Sequence, residues 1–320
     1  MSFSGIKFLV TGGAGFVGSS IVKRLLSENA NVIVLDDLFT GLQEILPLDH
    51  PNLEFVQGTV TDFQLVDELV KRSDIIIHEA ARNITVSMTN PLEDFNVNIG
   101  GTLNVLEAVR KSGHKKIVYA SSASVYGNPK YLPINEDDVQ RTLSPYAVSK
   151  LAGENYCIAF YESYGMPTTV VRYSNIYGPF QMTSNPYCGV VSKFFNAVLN
   201  DQPPTIHGDG DQTRDFTFID DAVDATLAIA MSDRSIGQIY NVASGMETTI
   251  NELAHIIIEI CGSDVKPVYI DKRDIDNIRR RVLNIEKIRR EIRWTPKVTL
   301  KRGLIKTKEW FLEEFYKRKS

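Results

Sequence analysis

The sequence predicts an α/β fold: a doubly wound parallel sheet joined to a smaller lobe built from discontinuous segments. Three observations carry this. Short apolar runs recur through the first two thirds of the chain, amphipathic segments separate them, and after about residue 175 the repetition loosens into stretches rich in Asn, Pro, Gly and Asp.

The runs lie at 6–10, 32–35, 53–56, 75–77, 116–119 and 168–171. They are continuous rather than alternating, which is how strands covered on both faces read. Between them Ile21, Leu25 and Leu26, then Leu65 and Leu69, then Leu103, Leu106 and Val109 keep helical spacing. Strand-helix alternation of this length predicts right-handed crossovers in a single sheet. Beyond residue 175, the stretches 179–187 and 203–213 interrupt any regular element, and the chain is expected to return to the first lobe near 216–230. In the charged C-terminal segment 310–318, Trp310 and Phe311 are expected to be core anchors.

Composition excludes several function classes. With 320 residues, 43% of them hydrophobic, the chain is long enough for a large core. Its 35 basic and 39 acidic residues give a net charge of −4, and no basic run is longer than Arg279-Arg280-Arg281, so nucleic acid is not an expected partner. No stretch reaches the roughly 18 consecutive apolar residues of a membrane span, and a cytoplasmic location is expected. Cys157, Cys188 and Cys261 form no CxxC pair and the five histidines are scattered, so neither a disulfide framework nor a metal site is expected.

The first strand runs into Thr11-Gly12-Gly13-Ala14-Gly15-Phe16-Val17-Gly18. Glycines at 12, 15 and 18 let a backbone approach a pyrophosphate and let the following helix pack on the sheet with its N-terminal amides toward the anion. A glycine triplet alone also fits a plain tight turn. Here a strand precedes it, a helix at 19–27 follows, and the second strand ends on Asp36, 18 residues after Gly18. A carboxylate there suits a ribose 2′-hydroxyl and repels a 2′-phosphate, so NAD is expected rather than NADP, on a Rossmann-type sheet. Asp62, after the third strand, suits either the adenine amine or the N-cap of the next helix.

The strand at 116–119 leads into Ala120-Ser121-Ser122-Ala123-Ser124-Val125-Tyr126-Gly127, and Tyr146-Ala147-Val148-Ser149-Lys150 begins 24 residues after Ser122. Ser144 followed by Pro145 reads as N-cap and first helical position, which places Tyr146 in the first turn and Lys150 one turn later on the same face. An ammonium and a positive nicotinamide nearby would pull the phenol toward neutrality, as a base for a sugar hydroxyl requires. A packed Tyr with a solvated Lys is the plain alternative for that spacing.

With these motifs in place the chain resembles the extended short-chain dehydrogenase/reductase family, and within it the nucleotide-sugar epimerases and dehydratases. The matching pieces also include His78-Glu79-Ala80-Ala81, Asn98-Ile99-Gly100-Gly101-Thr102, Arg172-Tyr173-Ser174-Asn175-Ile176-Tyr177-Gly178-Pro179, and Gly208-Asp209-Gly210 through Arg214-Asp215-Phe216, spread over essentially the whole chain. The resemblance implies that Tyr146 is the base, that Lys150 lowers its pKa and binds the nicotinamide ribose, and that Ser122 bonds the reacting hydroxyl. It places Gly12, Gly15, Phe16, Val17, Gly18, Asp36 and Asp37 along NAD, with Val60, Asp62, Ala80, Ala81, Asn98, Tyr146, Lys150 and Tyr173. It places Ser122, Ser124, Asn175, Tyr187, Val190, Arg214 and Arg273 on a nucleotide-sugar substrate, the two arginines on its pyrophosphate. It further implies an NAD-binding domain at 1–175, rejoined by about 215–245, a nucleotide-sugar lobe at 176–320, and a homodimer formed through the helices near 94–111 and 146–164.

Subfamilies share hydride transfer to NAD and diverge afterwards. Similar dehydratases carry an Asp-Glu pair directly after the Ser or Thr, and similar decarboxylases keep a Glu at the second of these positions; here they are Ala123 and Ser124. The inventory therefore fits epimerisation at C4 of a UDP-hexose through a 4-keto intermediate. The rivals are a 4,6-dehydratase, a UDP-glucuronate decarboxylase and a non-catalytic NAD-binding subunit. Between Arg273 and Asn284 the chain is one residue longer than the family pattern, so the Asp position falls on Asp276 or Asn277, and the position governing a 2-acetamido group falls on Arg279, Arg280 or Arg281. Arg82 is left open between a cofactor phosphate, an acidic substrate group and a loop cap.

Overall fold

The computed structural model describes residues 3–113, 115–181, 189–272 and 278–319, and side chains as far as residue 313. Tyr187 and Arg273, with Asp276 and Asn277, lie outside the described residues.

Each apolar run becomes a strand: β1 (Lys7–Thr11), β2 (Asn31–Asp36), β3 (Leu53–Gln57), β4 (Ile75–His78), β5 (Lys116–Ser122) and β6 (Thr168–Tyr173). With β10 (Gln238–Val242) they form a seven-stranded sheet in the order β10-β6-β5-β4-β1-β2-β3, every neighbouring pair parallel. Between β1 and β4 the winding reverses direction, and a crevice opens there at the carboxyl ends of the strands.

The crossovers are helical. Helix α1 (Phe16–Ser27) follows β1 and α2 (Phe63–Lys71) follows β3. After β4 come α3 (Ile84–Thr89) and α4 (Pro91–Asp94), a π-helical stretch Phe95–Gly101, and α5 (Thr102–Lys111). Helix α6 (Pro145–Tyr164) starts where the Ser-Pro pair predicts: the Ser144 hydroxyl accepts from the Ala147 amide at 3.2 Å and Pro145 takes the first position. Gly165, at φ 66°, ends it in a left-handed cap.

The remaining segments form two small sheets. One has the order β11 (Glu247–Thr249), β9 (Thr213–Phe218), β7 (Asn175–Tyr177); the other pairs β12 (Val268–Ile270) with β8 (Thr205–His207). Around them lie α7 (Val190–Leu199), α8 (Ile219–Ala230), α9 (Ile250–Cys261), α10 (Glu286–Ile292) and α11 (Leu300–Lys319). Helix α8 packs back onto α1, β5 and β6. One buried apolar cluster runs from Phe8, Val10 and Ile21 to Phe194, Ile257, Leu304, Trp310 and Phe311, so the later segments share a core with the large sheet. Trp310 and Phe311 are anchors, with Trp310 also 5.7 Å from the ring of Phe180.

Candidate active site

The glycine loop leaves β1 at the crevice. Gly12 has φ +70°, and a Cβ there would sit 2.7 Å from the Ala80 amide nitrogen, so backbone meets backbone across the loop and only glycine fits. Gly15 is the N-cap of α1 and supplies no side-chain cap, which leaves the helix's positive end to whatever lies in the crevice. A cleft of about 280 Å³ runs along this loop. Of the expected cofactor residues, Gly12, Gly15, Phe16, Val17, Gly18, Asp36, Asp37, Val60, Ala80 and Ala81 line it. Asp36 is buried there, its Oδ2 accepting from the Ala14 amide at 2.9 Å and its Oδ1 from the Leu38 amide at 2.8 Å; burial pushes its carboxyl upward against those bonds. The glycine cradle, uncapped helix end and carboxylate at the end of β2 fit a dinucleotide.

Other expected cofactor residues stand back from the cleft. Asp62 caps α2, accepting from the Gln64 and Leu65 amides at 3.0 and 3.1 Å. Asn98 is buried beneath the loop after β4: its Oδ1 accepts from the Arg82 amide at 2.7 Å, and its Nδ2 donates to the Arg82 carbonyl, to Asp94 Oδ1 at 2.6 Å and to Ser149. Tyr173 donates to Glu79 Oε1 at 2.9 Å and pairs with Thr226 at 2.6 Å. The cleft also draws in Thr40, Gly41, Thr59 and Arg82. Among these, only Arg82 had a sequence signal.

Ser122 ends β5 and Tyr146 opens α6. The Lys150 ammonium lies 6.0 Å from the Tyr146 ring centre and donates to the Ala120 carbonyl at 2.8 Å, so strand and helix hold the three residues at one corner. Burial pushes the Tyr146 hydroxyl up to about 12; a hydrogen bond with Ser122 opposes this, while Asp94 and Glu79 add to it. Protein groups alone thus move this phenol away from neutrality, the reverse of the direction expected from a nearby lysine. Burial also lowers Lys150 to about 8, against the pull of Glu79, Asp94 and Glu154, and raises Glu79 to about 7. Ser124, in the 3-10 turn Ala123–Tyr126, has a buried hydroxyl with no hydrogen-bond partner among the described residues.

Under this corner lies a polar network that sequence reasoning missed. Arg172 and Glu154, both nearly sealed from solvent, pair at 2.6 Å. Arg172 Nη1 donates to the Tyr126 hydroxyl at 2.8 Å and to the Glu136 carbonyl at 2.7 Å, Tyr126 donates to Asn241 at 2.7 Å, and Ser121 donates to Glu154. Arg172 stands inside a quoted motif, but no spacing rule pairs it with Glu154.

On the other side, Asn175 begins β7 and Val190 begins α7. Arg214 lies on β9, largely buried, its Nη1 donating to the Thr213 and Ile278 carbonyls at 2.8 Å. Arg279 pairs with Asp209 at 2.7 Å and Arg280 with Glu247 at 2.6 Å, both in solvent, while Arg281 is buried. Arg82 pairs with Asp37 at 2.7 Å and Glu93 at 2.8 Å.

Known proteins match this arrangement. The model of the NAD dependent epimerase/dehydratase family matches residues 8–243. The chain belongs to that family. A putative UDP-glucose 4-epimerase of Methanocaldococcus jannaschii is 40% identical over 94% of this chain and 97% of its own. The crystal structure of Thermotoga maritima UDP-glucose 4-epimerase with UDP-glucose superimposes with a TM-score of 0.92 at 35% identity, over 97% of this chain and 100% of that one. A UDP-N-acetyl-α-D-glucosaminuronate decarboxylase of Bacillus cytotoxicus is 33% identical over 95% of this chain and 97% of its own. The chain is therefore an NAD-dependent member of a family that processes nucleotide sugars. No helix among its described residues is long and apolar enough to cross a membrane, and no group of three metal-ligating side chains occurs among them.

Proposed function

We propose that this family member interconverts the C4 epimers of a UDP-hexose, retaining and recycling its NAD. The observation that carries the reading is the turn after β5. Ala123 and Ser124 stand where elimination or decarboxylation would want carboxyl groups, and the unpartnered Ser124 hydroxyl offers a neutral hydrogen bond instead. The carboxyls that influence Tyr146, Glu79 and Asp94, are already bonded to Tyr173 and to Ser149 and Asn98.

Bound NAD supplies a hydride acceptor that later returns the hydride. Tyr146 Oη takes the proton of the sugar hydroxyl and gives it back, with Ser122 orienting that hydroxyl. Since protein groups hold the phenol at about 12, its base form depends on added positive charge, which an oxidised nicotinamide provides. Lys150, anchored on the Ala120 carbonyl, has donors left for the nicotinamide ribose. Asp36 suits an adenosine ribose without a 2′-phosphate. Ser124, Asn175, Val190 and Arg214 are assigned to the substrate nucleotide, and so, from the sequence alone, are Tyr187 and Arg273.

A homodimer belongs to this reading. Leu92 on α4, Phe95 on the π-helical stretch and Val148 on α6 are 73%, 54% and 51% exposed, apolar surface that a second copy packed on these helices would cover. Light scattering at micromolar concentration is expected to give twice the chain mass, and a monomer mass would reject it.

The reaction is tested by incubating purified protein with UDP-galactose and no added cofactor, beside Tyr146→Phe. Conversion to UDP-glucose by wild type, with the variant slower by at least about a hundredfold, is expected. Net oxidation, or loss of water or carbon dioxide, would reject it.

A further inference from the structure

We infer that Arg82 is a cofactor-retention residue, tying the two flanks of the NAD cleft together and slowing release of the dinucleotide. The inference rests on the retained NAD of the reading above.

The strand order β4-β1-β2 places the loops after β4 and β2 on either side of the glycine loop that ends β1. Arg82 lies in the first of these loops and Asp37 in the second, and both line the cleft. Arg82 Nη2 donates to Asp37 Oδ2 at 2.7 Å, with Nη1 3.4 Å from Oδ1, so an ion pair joins the two flanks. A dinucleotide seated along the glycine loop lies between those flanks.

Arginine chemistry is used fully here. Nε donates to Glu93 Oε1 at 2.9 Å, and the guanidinium lies 4.1 Å from the centre of the Phe39 ring. A planar fork can serve two carboxylates and a ring face at once, which a lysine ammonium cannot. The side chain is only 10% exposed, although its partners Asp37 and Glu93 are 28% and 34% exposed, so the cation sits inside a rim of more accessible anions. Its backbone is fixed at both its amide and its carbonyl by Asn98. The anchor on the β4 side is therefore rigid, and opening the cleft means parting Arg82 from Asp37. This fits an enzyme that takes a hydride from its substrate and must hold the reduced cofactor until the hydride is returned.

The test measures release without turnover. Full-length protein loaded with NADH is mixed with excess NAD, and the decay of nicotinamide fluorescence is followed for wild type, Arg82→Ala, Arg82→Lys and Glu93→Gln. Release from Arg82→Ala is expected to be at least about tenfold faster, from Arg82→Lys intermediate, and from Glu93→Gln faster by about threefold, because losing a charge pair acts mainly on dissociation. Affinity for UDP, titrated in parallel, is expected to stay at the wild-type value. Wild-type release from Arg82→Ala overturns the inference, as does an equal weakening of UDP binding, which would mark general loosening. If Arg82→Ala does not fold, Glu93→Gln decides alone, and wild-type release from it rejects the role. Faster NADH release in a protein that epimerises nothing would defeat the reaction reading while leaving Arg82 its role.

Discussion

The two ends of the site are built in opposite ways. The dinucleotide end is mostly backbone: three glycines, an uncapped helix start and one carboxylate, all within a single strand-turn-helix and the strand beside it. The catalytic end is held by side chains from distant parts of the chain, with Tyr126 bonded to Asn241, Arg172 to Glu154, and Lys150 to Ala120. An anion needs only oriented amides, which a short sequence encodes completely. Placing a Tyr and a Lys against a strand end needs helix, strand and loop locked together, and here buried charges do the locking. Such a network is costly unless every member is satisfied.

The difference predicts where each end breaks. Glu154→Ala leaves the Arg172 cation sealed and unpaired, so a loss of about 3–5 kcal/mol is expected in urea unfolding. If the network were a passive filler, the loss would fall near that of a surface change, below about 0.5 kcal/mol. Adding Arg172→Met to Glu154→Leu is expected to restore much of the stability, because the buried charge goes with its partner.

At the dinucleotide end, Gly18→Ala drives a Cβ into the Gly12 carbonyl oxygen, and neither backbone can yield without moving the loop. A loss of about 1–3 kcal/mol is expected from such overpacking, with weaker NADH binding. Gly100→Ala is the control: its Cβ would meet nothing nearer than 3.8 Å, and both stability and NADH affinity should hold within about 0.5 kcal/mol. Equal effects from the two substitutions would erase the distinction between a crowded cradle and an ordinary glycine.

The same contrast explains what the sequence made legible. The strands, the glycine turn, Asp36 and the Ser144-Pro145 helix start are local patterns, and the structure places them within about three residues of where spacing puts them, the largest difference being the strand at 116–119, which runs on to Ser122. Pairings are another matter. Arg82 with Asp37, Tyr126 with Asn241 and Arg172 with Glu154 join residues 45, 115 and 18 positions apart, and no periodicity says which charge will face which. Short strands such as Asn175–Tyr177 and Glu247–Thr249 are three residues long, too brief for an alternation to register. The direction of the Tyr146 shift was missed for a related reason. The 146/150 spacing shows the lysine, but it does not show burial or the carboxyls folded in from Glu79 and Asp94.

Asp94 offers the subtlest way to sharpen the comparison, since it acts on charge rather than on packing. It is buried beneath α6, accepting from Ser149 at 3.1 Å and Asn98 at 2.6 Å. Its negative charge raises the Tyr146 hydroxyl and also supports the Lys150 ammonium. Asp94→Asn keeps the shape and removes the charge. The phenol then ionises at lower pH, which moves the rising limb of kcat/KM to lower pH. Lys150 loses its proton at lower pH as well, which moves the falling limb the same way. The whole bell is therefore expected to shift toward acid, with kcat at the optimum changed by less than about tenfold, well short of losing the base itself. Were the profile to stay in place while kcat fell, Asp94 would be a packing group and the tuning of the phenol would fall to burial, Ser122 and Glu79.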